Sequence, residues 1–189
     1  MNYEINDKLR VLSAPCSTGE ETYSIAMFLQ NLVDCKIFNF DFKVLGLDID
    51  AEAIRHANKG IYETEKVKNA NGFERLLERY TTPIMNPIKN GPELCQISEK
   101  IRKEKKAMFG VKNLMEPLPS RFKDYVDVVF CKNLIIYLNE KNKSRLIENL
   151  QTTIKKDGLL IIGASESGIG NAVFKEHFEY TGVSVYMKK

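Results

Sequence analysis

The stretch LRVLSAPCSTGEETYSIAM, residues 9–27, decides the fold of this 189-residue chain. It opens on an apolar run, turns through small residues at 13–19, and continues with apolar residues spaced three to four apart. This order predicts a strand, a tight loop and a helix whose N-terminus points at the loop. Small side chains let backbone N–H groups in the loop approach a ligand closely, and the geometry suits a nucleotide-like ligand.

The loop differs from both familiar phosphate-binding loops. It lacks the Gly-Lys-Ser/Thr ending of a P-loop, and its single glycine, Gly19, falls short of the three in the dinucleotide-binding fingerprint. Glu20 and Glu21 open the helix instead, where they complement the helix dipole but would repel a pyrophosphate. Negative charge here favours a cationic ligand without phosphate, such as an amino group or a sulfonium. The alternative is a helix start that simply favours acidic residues.

Composition and charge argue against nucleic-acid binding, membrane insertion and secretion. A hydrophobic fraction of 43% lets the chain bury a core as one domain with a small insertion, and a net charge of +3 is too slight to indicate nucleic acid. No apolar run approaches the roughly 20 residues that cross a bilayer, and the polar start MNYEINDKLR is not a signal peptide. We therefore expect a soluble, cytoplasmic protein without membrane insertion. We also expect a monomer.

Cysteines and histidines give no metal-binding pattern. The four cysteines, Cys16, Cys35, Cys95 and Cys131, are scattered without a CxxC pair. We expect reduced thiols rather than disulfides or a zinc site, and no metal. The two histidines, His56 and His177, lie in no motif and are interpreted as surface or packing residues.

A second strand is predicted at 42–47, and it ends at Asp48. Asp50 is placed to cap the next helix, and Gly60 lies just past the end of that helix. Because Asp50 fills the structural role, we expect Asp48 to have none. Asp48 then faces the carboxyl end of the strand, where open α/β sheets bind their ligands.

Residues 61–106 break the regular pattern. A short helix is predicted at 69–80, and prolines and a glycine at 83–92 separate brief extended pieces. The region is too irregular for one crossover helix and too long for an ordinary loop, so it predicts an inserted β-subdomain with short antiparallel strands. Its charged run at 99–106 is interpreted as a solvated face rather than a partner site.

Regular alternation resumes after the insertion. Strands are predicted at 107–111, 125–130 and 158–164, a helix at 140–156, and an antiparallel hairpin at 174–188 around Thr181-Gly182. This order predicts an α/β fold with a mostly parallel sheet and a C-terminal antiparallel hairpin. Residues 1–60 and 107–189 then form one ligand-binding domain, interrupted by the subdomain at 61–106.

Polar residues follow successive predicted strands at the same relative position. They are Glu20 and Glu21 after the first strand, Asp48 after the second, Asn113 after the third, and Lys132 and Asn133 with Tyr137 after the fourth. Because the carboxyl ends of parallel strands share one edge, these side chains converge on one crevice. A carboxylate about 30 residues beyond the glycine turn can accept hydrogen bonds from both hydroxyls of a ribose.

These residues belong to five motifs. They are Ser17-Thr18-Gly19-Glu20-Glu21-x-Tyr23-Ser24-Ile25-Ala26, Asp48-Ile49-Asp50, Asn113-Leu114, Phe130-Cys131-Lys132-Asn133-x-x-Ile136-Tyr137 and Gly163-x-Ser165-Glu166-Ser167. Together they resemble the chemotaxis receptor-glutamate methyltransferases, the CheR family, from about residue 9 to residue 186. STGEE and FCxNxxIY are specific to that family, whereas an acidic residue after the second strand is common to most S-adenosylmethionine enzymes.

The resemblance implies a Rossmann-like class I S-adenosylmethionine-dependent methyltransferase. Glu21 would hold the amino group of the cofactor's methionyl end, with Gly19 and Glu20 in the same loop, and Asp48 would hold its ribose. Asn113 and Leu114 would lie on the adenine side, Cys131 and Lys132 would line the reactive end, and Tyr137 would lie near the transferred methyl group. The inserted subdomain would dock the cytoplasmic tail of a chemoreceptor.

The resemblance also implies the substrate, a glutamate side chain of a chemoreceptor that becomes a methyl ester, and this substrate explains why no histidine motif is needed. A glutamate carboxyl, with an ordinary pKa near 4.3, is ionised at neutral pH and attacks a sulfonium methyl group without a general base. Catalysis would then depend on positioning and on removing water from the carboxylate. Lys132 would attract and orient that carboxylate, although arginine is usual in the family and grips a planar carboxylate with two hydrogen bonds.

Other positions depart from the family pattern. Pro15 lies in the loop, Thr22 stands where proline is usual, and Ala164 replaces a usual histidine. Family members usually carry an N-terminal helical domain that covers part of the cofactor, and here the chain begins almost at the first strand. We therefore expect a cleft that is open on one side, with weakened cofactor binding or activity.

Several alternatives remain open at the sequence level. The chain can be a methyltransferase of the same fold with another acceptor, such as a small acid, or a non-catalytic module that senses the cofactor or binds a receptor. A nicotinamide-binding protein is disfavoured by Glu20 and Glu21. At single residues, Tyr137 can be a core aromatic and Asn113 can cap a turn.

Overall fold

The computed structural model describes residues 8–65, 74–166 and 174–189. In chain order, its strands and helices are β1 (Lys8–Ser13), α1 (Glu20–Asp34), β2 (Asp41–Asp48), α2 (Ala51–Lys59), β3 (Ile61–Glu63), α3 (Glu74–Tyr80), β4 (Thr81–Ile84), β5 (Leu94–Ile97), α4 (Glu99–Arg102), β6 (Ala107–Val111), β7 (Val126–Cys131), α5 (Glu140–Thr153), β8 (Ile154–Ile162), β9 (Phe178–Gly182) and β10 (Val185–Lys188). Short 3-10 turns lie at Ser120–Phe122, Ile135–Tyr137 and Ala164–Glu166.

A seven-stranded sheet, ordered β6-β2-β1-β7-β8-β10-β9, lies at the centre of the molecule. The first five strands in this order are parallel, and β10 runs antiparallel to both β8 and β9. Val11 of β1 pairs with Val44 of β2 on one side and with Val128 of β7 on the other. The predicted α/β sheet with its C-terminal hairpin is therefore confirmed, and the carboxyl ends of the parallel strands meet at one edge.

Apolar side chains cover both faces of this sheet because alternate residues of a strand point to opposite sides. Val11 belongs to the core beneath α1, together with Met27 of that helix. Leu12, the next residue, belongs to the core beneath α5, together with Leu146. All four side chains are less than 5% exposed, and each such burial contributes roughly 1.5–3 kcal/mol.

The helices begin and end where capping residues place them. Asp50 accepts a hydrogen bond from the Glu52 N–H (2.8 Å) at the start of α2, and Gly60 follows the end of that helix, as predicted. Asn139 caps α5 by accepting from the Asn142 N–H (2.9 Å). These caps fix where each helix leaves the sheet edge.

The region at 61–106 forms a second sheet, ordered β3-β5-β4, in which both pairings are antiparallel. The predicted short antiparallel strands are therefore present, while the division into two domains stays a prediction. Basic residues of the charged run connect this region to the main sheet and its helix: Lys106 pairs with Asp41 (2.8 Å) and Lys100 with Asp34 (2.8 Å). The interpretation of the run as a solvated face missed these contacts.

The structure differs from the prediction at the end of α5 and at the turn of the C-terminal hairpin. The helix predicted to reach residue 156 ends at Thr153, because Ile154 already pairs with Val126 and is fully buried. A shift in register between Val126 and Val128 accommodates the extra strand residues. The hairpin turn lies after Gly182, rather than around it. Of the helix predicted at 69–80, residues 69–73 lie outside the described residues and the remainder is helical.

Candidate active site

The loop after β1, residues 14–19, is fastened by its backbone to the two neighbouring strands. The Ala14 N–H donates to the Phe130 carbonyl of β7 (2.9 Å), and the Cys16 N–H donates to the Leu47 carbonyl of β2 (2.9 Å). Loop polar groups that are buried in this way need partners, and the ends of the adjacent strands supply them. The loop is therefore held at the carboxyl edge of the sheet, where the sequence placed it.

Gly19 serves the chain's own packing. Its φ of +96° lies in the region that favours glycine, and a Cβ there would stand 2.7 Å from the Ala57 Cβ and 2.9 Å from a ring carbon of Phe109. The small size of Gly19 thus lets the loop pack against α2 and β6. Its assignment to the cofactor-binding loop stays a prediction.

Asp48 has a structural role that the sequence analysis denied it. Its carboxylate accepts hydrogen bonds from the Ser17 N–H (2.7 Å) and the Asp50 N–H (3.0 Å), and the residue is 8% exposed. The prediction of no structural role was wrong, because a buried carboxylate at a strand end becomes the acceptor for nearby turn amides. A carboxylate has about four acceptor positions, so two remain for the predicted ribose contact.

Glu21 already binds a cation in this structure. Its carboxylate accepts a hydrogen bond from the Ser13 hydroxyl (2.9 Å) and pairs with the Lys132 ammonium (2.5 Å). Both charged side chains are partly exposed, so the pair faces solvent rather than the core. The predicted contact of Glu21 with the amino group of the cofactor stays a prediction. The sequence analysis predicted that Lys132 orients a substrate carboxylate, and it did not predict the pairing of Lys132 with Glu21.

Glu20 lies beside Glu21 but points into a different environment. It is exposed, and both of its carboxylate oxygens accept from the Thr18 hydroxyl (2.8 and 2.7 Å). These contacts stay within the loop and its helix N-terminus. The role of Glu20 in cofactor binding stays a prediction.

The predicted adenine-side residues are both held by the chain. Asn113 accepts from the Met115 N–H (3.0 Å), so the turn-capping alternative is confirmed for its side-chain oxygen. Leu114 is 6% exposed in the core beneath α5, and its carbonyl accepts from the Asn149 amide (2.9 Å). These contacts fix the backbone after β6, and the adenine contact itself stays a prediction.

Cys131 and Tyr137 lie at opposite extremes of exposure. Cys131 is fully buried, and burial raises the pKa of its thiol, with a further increase from the charges of Glu166 and Glu21. The place of Cys131 at the reactive end of the cofactor stays a prediction. Tyr137 is 78% exposed on a 3-10 turn, so the core-aromatic alternative is wrong.

The negative charge of the site is visible at Cys16. Burial, followed by the charge of Asp48, raises the pKa of the Cys16 thiol to about 12. Cys16 is thus a neutral thiol at physiological pH, and the cysteines are all free in the structure. Within the three described ranges, no cluster of His, Cys, Asp or Glu is arranged to hold a metal ion.

Two residues that contribute to the site were not predicted. Ser13 is fully buried at the end of β1, and its hydroxyl orients Glu21; a polar residue ending an apolar strand was the available signal. Tyr62 of β3 donates to the Thr18 carbonyl (2.7 Å) and so connects the inserted region to the loop. No local pattern marks Tyr62, because its partner is 44 residues away.

The chain is similar to known proteins over most of its length. The family model "CheR methyltransferase, SAM binding domain" matches residues 1–185. The chemotaxis protein methyltransferases of Borreliella burgdorferi and Escherichia coli are 32% and 31% identical to it over 97% and 94% of the chain. The probable biofilm formation methyltransferase WspC of Pseudomonas aeruginosa is 33% identical over 85% of the chain. The chain spans 59%, 57% and 35% of the lengths of these three relatives.

Solved structures agree on the fold. The TehB-like SAM-dependent methyltransferase from Corynebacterium glutamicum superposes with a TM-score of 0.51 at 14% identity, covering 95% of this chain and 78% of that one. The CMeT domain of the citrinin polyketide synthase gives a TM-score of 0.51 at 14% identity, covering 82% and 28% of the two chains. No helix in the described ranges is long and apolar enough to cross a membrane. The chain belongs to the CheR methyltransferase family and contains its S-adenosylmethionine-binding domain.

Proposed function

We propose that this chain transfers a methyl group from S-adenosylmethionine to the side-chain carboxylate of a receptor glutamate, which becomes a methyl ester. The observation that carries the proposal is the Glu21 carboxylate, which lies at the carboxyl edge of the sheet and pairs with an ammonium group at 2.5 Å. Asp48 closes the neighbouring strand at the same edge, with acceptor positions to spare. Together these carboxylates suit a ligand with a cationic end and a ribose.

The residues of the site divide between binding the cofactor and receiving the acceptor. Glu21 binds the methionyl amino group in place of Lys132, and Asp48 binds the ribose. Bound S-adenosylmethionine supplies a methyl group on a positively charged sulfur. Lys132, once released from Glu21, orients the carboxylate that accepts the methyl group, and the exposed Tyr137 lines the place of transfer.

The charge states of these groups fit that division. A glutamate acceptor is ionised at neutral pH, so the chain need not remove a proton from it. The lysine ammonium attracts the carboxylate and holds it as a point charge, with less directional control than an arginine would give. Methyl transfer therefore requires no general base from Glu21, Asp48, Lys132 or Tyr137.

The inserted region is the proposed docking site for a cytoplasmic segment of the receptor. Its small sheet leaves β3 and β4 as edge strands, and a cavity of about 1060 Å³ lies between α3, β4 and the segment at 86–95. An edge strand can pair with an extended peptide, and the adjacent cavity can accept its side chains. We propose further that the chain acts as a cytoplasmic monomer.

A methylation assay on receptor peptides tests the function. Purified chain is mixed with S-adenosylmethionine labelled in its methyl group and with a glutamate-containing receptor peptide, and the labelled methanol that base releases from the methyl ester is measured. The control peptide carries Gln in place of the acceptor Glu. We expect label in the first peptide only, and peptide binding without label would favour a non-catalytic module.

Two further measurements separate the remaining alternatives. Labelling of small acids but not of receptor peptides would assign the chain another acceptor. Calorimetric titration with S-adenosylhomocysteine tests the cofactor directly. Tighter binding of NADH than of S-adenosylhomocysteine would overturn the assignment.

A further inference from the structure

Glu166 is a fully buried carboxylate with four backbone hydrogen bonds. Its Oε1 accepts from the N–H groups of Leu134 (2.8 Å) and Ile135 (2.7 Å), and its Oε2 accepts from those of Asn133 (2.9 Å) and Gly163 (2.8 Å). Burying a charged group is costly unless hydrogen bonds replace its water, and here N–H donors surround both oxygens. Only an ionised carboxylate offers acceptors to all four donors at once.

Three of these donors are consecutive residues of the segment after β7. Asn133 has a φ of +59°, and the 3-10 turn Ile135–Tyr137 follows directly. Successive N–H groups that converge in this way form an anion-binding concavity. In this protein the anion is a side chain of the same chain, so the shape of the segment depends on Glu166.

Residues 133–135, which Glu166 holds, lie in sequence between the two residues proposed to act on the substrate. Lys132 precedes it and pairs with Glu21 across the site (2.5 Å), and Tyr137 ends the 3-10 turn that follows it. Glu166 itself is 0% exposed, and the four hydrogen bonds that its carboxylate accepts come from backbone N–H groups and not from either side chain. It therefore influences both residues through the backbone that carries them.

The close approach of Gly163 to the Glu166 carboxylate also depends on the absence of a side chain at position 163. A Cβ at Gly163 would stand 2.6 Å from Oε2 of Glu166 and 3.3 Å from Oδ1 of Asn133. The absent side chain lets the end of β8 and the segment after β7 approach the carboxylate together. A larger residue would have to displace an oxygen that is already held by two N–H groups.

We propose that Glu166 is a positioning residue for methyl transfer: it holds residues 133–135 so that Lys132 and Tyr137 face the same place. The proposal rests on the proposed function, because it assumes that these two residues meet the substrate. It predicts that loss of the carboxylate affects turnover more than cofactor binding, since Glu21 and Asp48 are held by other contacts.

The test is the variant Glu166→Gln, which keeps the size of the side chain and removes its negative charge. Its NH₂ group would face two N–H donors, so two of the four hydrogen bonds are lost. We expect amide hydrogen exchange at 133–135 to become at least about tenfold faster, and kcat for the receptor peptide to fall roughly 10- to 100-fold. The dissociation constant of S-adenosylhomocysteine should change by less than about threefold, as measured by calorimetry.

Asp127→Asn is the matched control. Asp127 is also a buried carboxylate, at the opposite end of β7, where it accepts from the Arg10 N–H (2.7 Å) and from Lys155 (2.6 Å). Its variant should lower the melting temperature but leave kcat per folded molecule and exchange at 133–135 unchanged. Equal behaviour of the two variants, or unchanged exchange at 133–135 in Glu166→Gln, would overturn the proposal.

A second variant covers the case in which Glu166→Gln does not fold. Gly163→Ala keeps the carboxylate but crowds its Oε2, and the same exchange and kcat changes are expected. Unfolding of both variants would assign Glu166 to general stability and overturn the proposal. A wild-type chain that transfers no methyl group would count against the proposed function, while hydrogen exchange would still decide whether Glu166 holds the segment.

Discussion

Two segments at the carboxyl edge of the sheet carry the proposed site, and they are held in different ways. The loop at 14–19 is fastened through its own backbone to β2 and β7, and also to Tyr62. The segment at 133–135 packs Leu134 and Ile135 against the core beneath α5, and its three N–H groups all donate to a single side chain, Glu166. The hydrogen bonds of the first loop go to several partners, whereas those of the three N–H groups in the second segment go to one carboxylate, so one substitution can remove them together.

The largest effect on stability is expected for Gly19→Ala in the first loop. The new Cβ would approach Ala57 and Phe109 to within 3 Å in a backbone conformation with φ +96°. Crowding and strain together should lower the free energy of unfolding by roughly 2–4 kcal/mol. Urea denaturation of the variant and the wild type measures this loss in the free energy of unfolding. The control is Gly182→Ala, at φ +148° with nothing within 4 Å, and an equal loss there would remove crowding as the cause.

Asp48→Ala is expected to have the next largest effect. It leaves the N–H groups of Ser17 and Asp50 without their acceptor, which should cost about 1–3 kcal/mol of stability. Loss of the ribose contact should also weaken S-adenosylhomocysteine binding by about 1–3 kcal/mol. Asp50→Ala, which removes only the cap of α2, is the control and should leave this binding unchanged. An unchanged dissociation constant in Asp48→Ala would refute the ribose assignment.

Asp34 at the end of α1 anchors the inserted region, and its contribution should depend on pH. Burial would raise its pKa, but hydrogen bonds from Lys100, Gln30 and Tyr80 outweigh burial and lower it. A lowered folded-state pKa stabilises the protein above the unfolded value, near 3.9, and this stabilisation is lost as the pH falls through the folded-state pKa.

The variant Asp34→Asn should therefore be less stable than the wild type by about 1 kcal/mol at neutral pH. The difference should shrink as the pH falls below about 4, because the unfolded chain then takes up a proton at this carboxyl, and it should disappear as the pH falls through the lower folded-state pKa. Thermal unfolding between neutral and acidic pH measures this change. The exposed pair of Glu99 with Lys103 provides the control, and Glu99→Gln should have almost no effect. A difference that is constant with pH would exclude the carboxylate charge as its source.

The smallest effect on stability is expected for Tyr137→Phe in the second segment. Tyr137 is 78% exposed, so loss of its hydroxyl should change stability by less than about 0.5 kcal/mol. If the hydroxyl acts at the place of transfer, kcat should nevertheless fall roughly 10- to 100-fold with little change in cofactor binding. Tyr180→Phe, on the exposed edge strand β9, is the control. Full activity of Tyr137→Phe would remove Tyr137 from the catalytic residues.

Local patterns predicted those features of the fold that depend on neighbouring residues. The strand at 107–111, the cap at Asp50 and the end of α2 at Gly60 were all predicted from a few adjacent positions. The boundary between α5 and β8 was not, because Ile154 is apolar enough for either element. Its pairing with Val126 in β7 makes it a strand residue.

The sequence by itself determined the order of strands and helices and the family motifs, because hydrophobic periodicity and turn residues act over a few positions. It also determined that carboxylates would gather at one sheet edge. Only the tertiary structure decided what those carboxylates contact: Asp48 holds the loop at Ser17, Glu21 pairs with Lys132, and Glu166 pins the segment after β7. These partners lie 31 to 111 residues apart, or on a backbone turn that no side-chain pattern records, so they meet only when the sheet assembles.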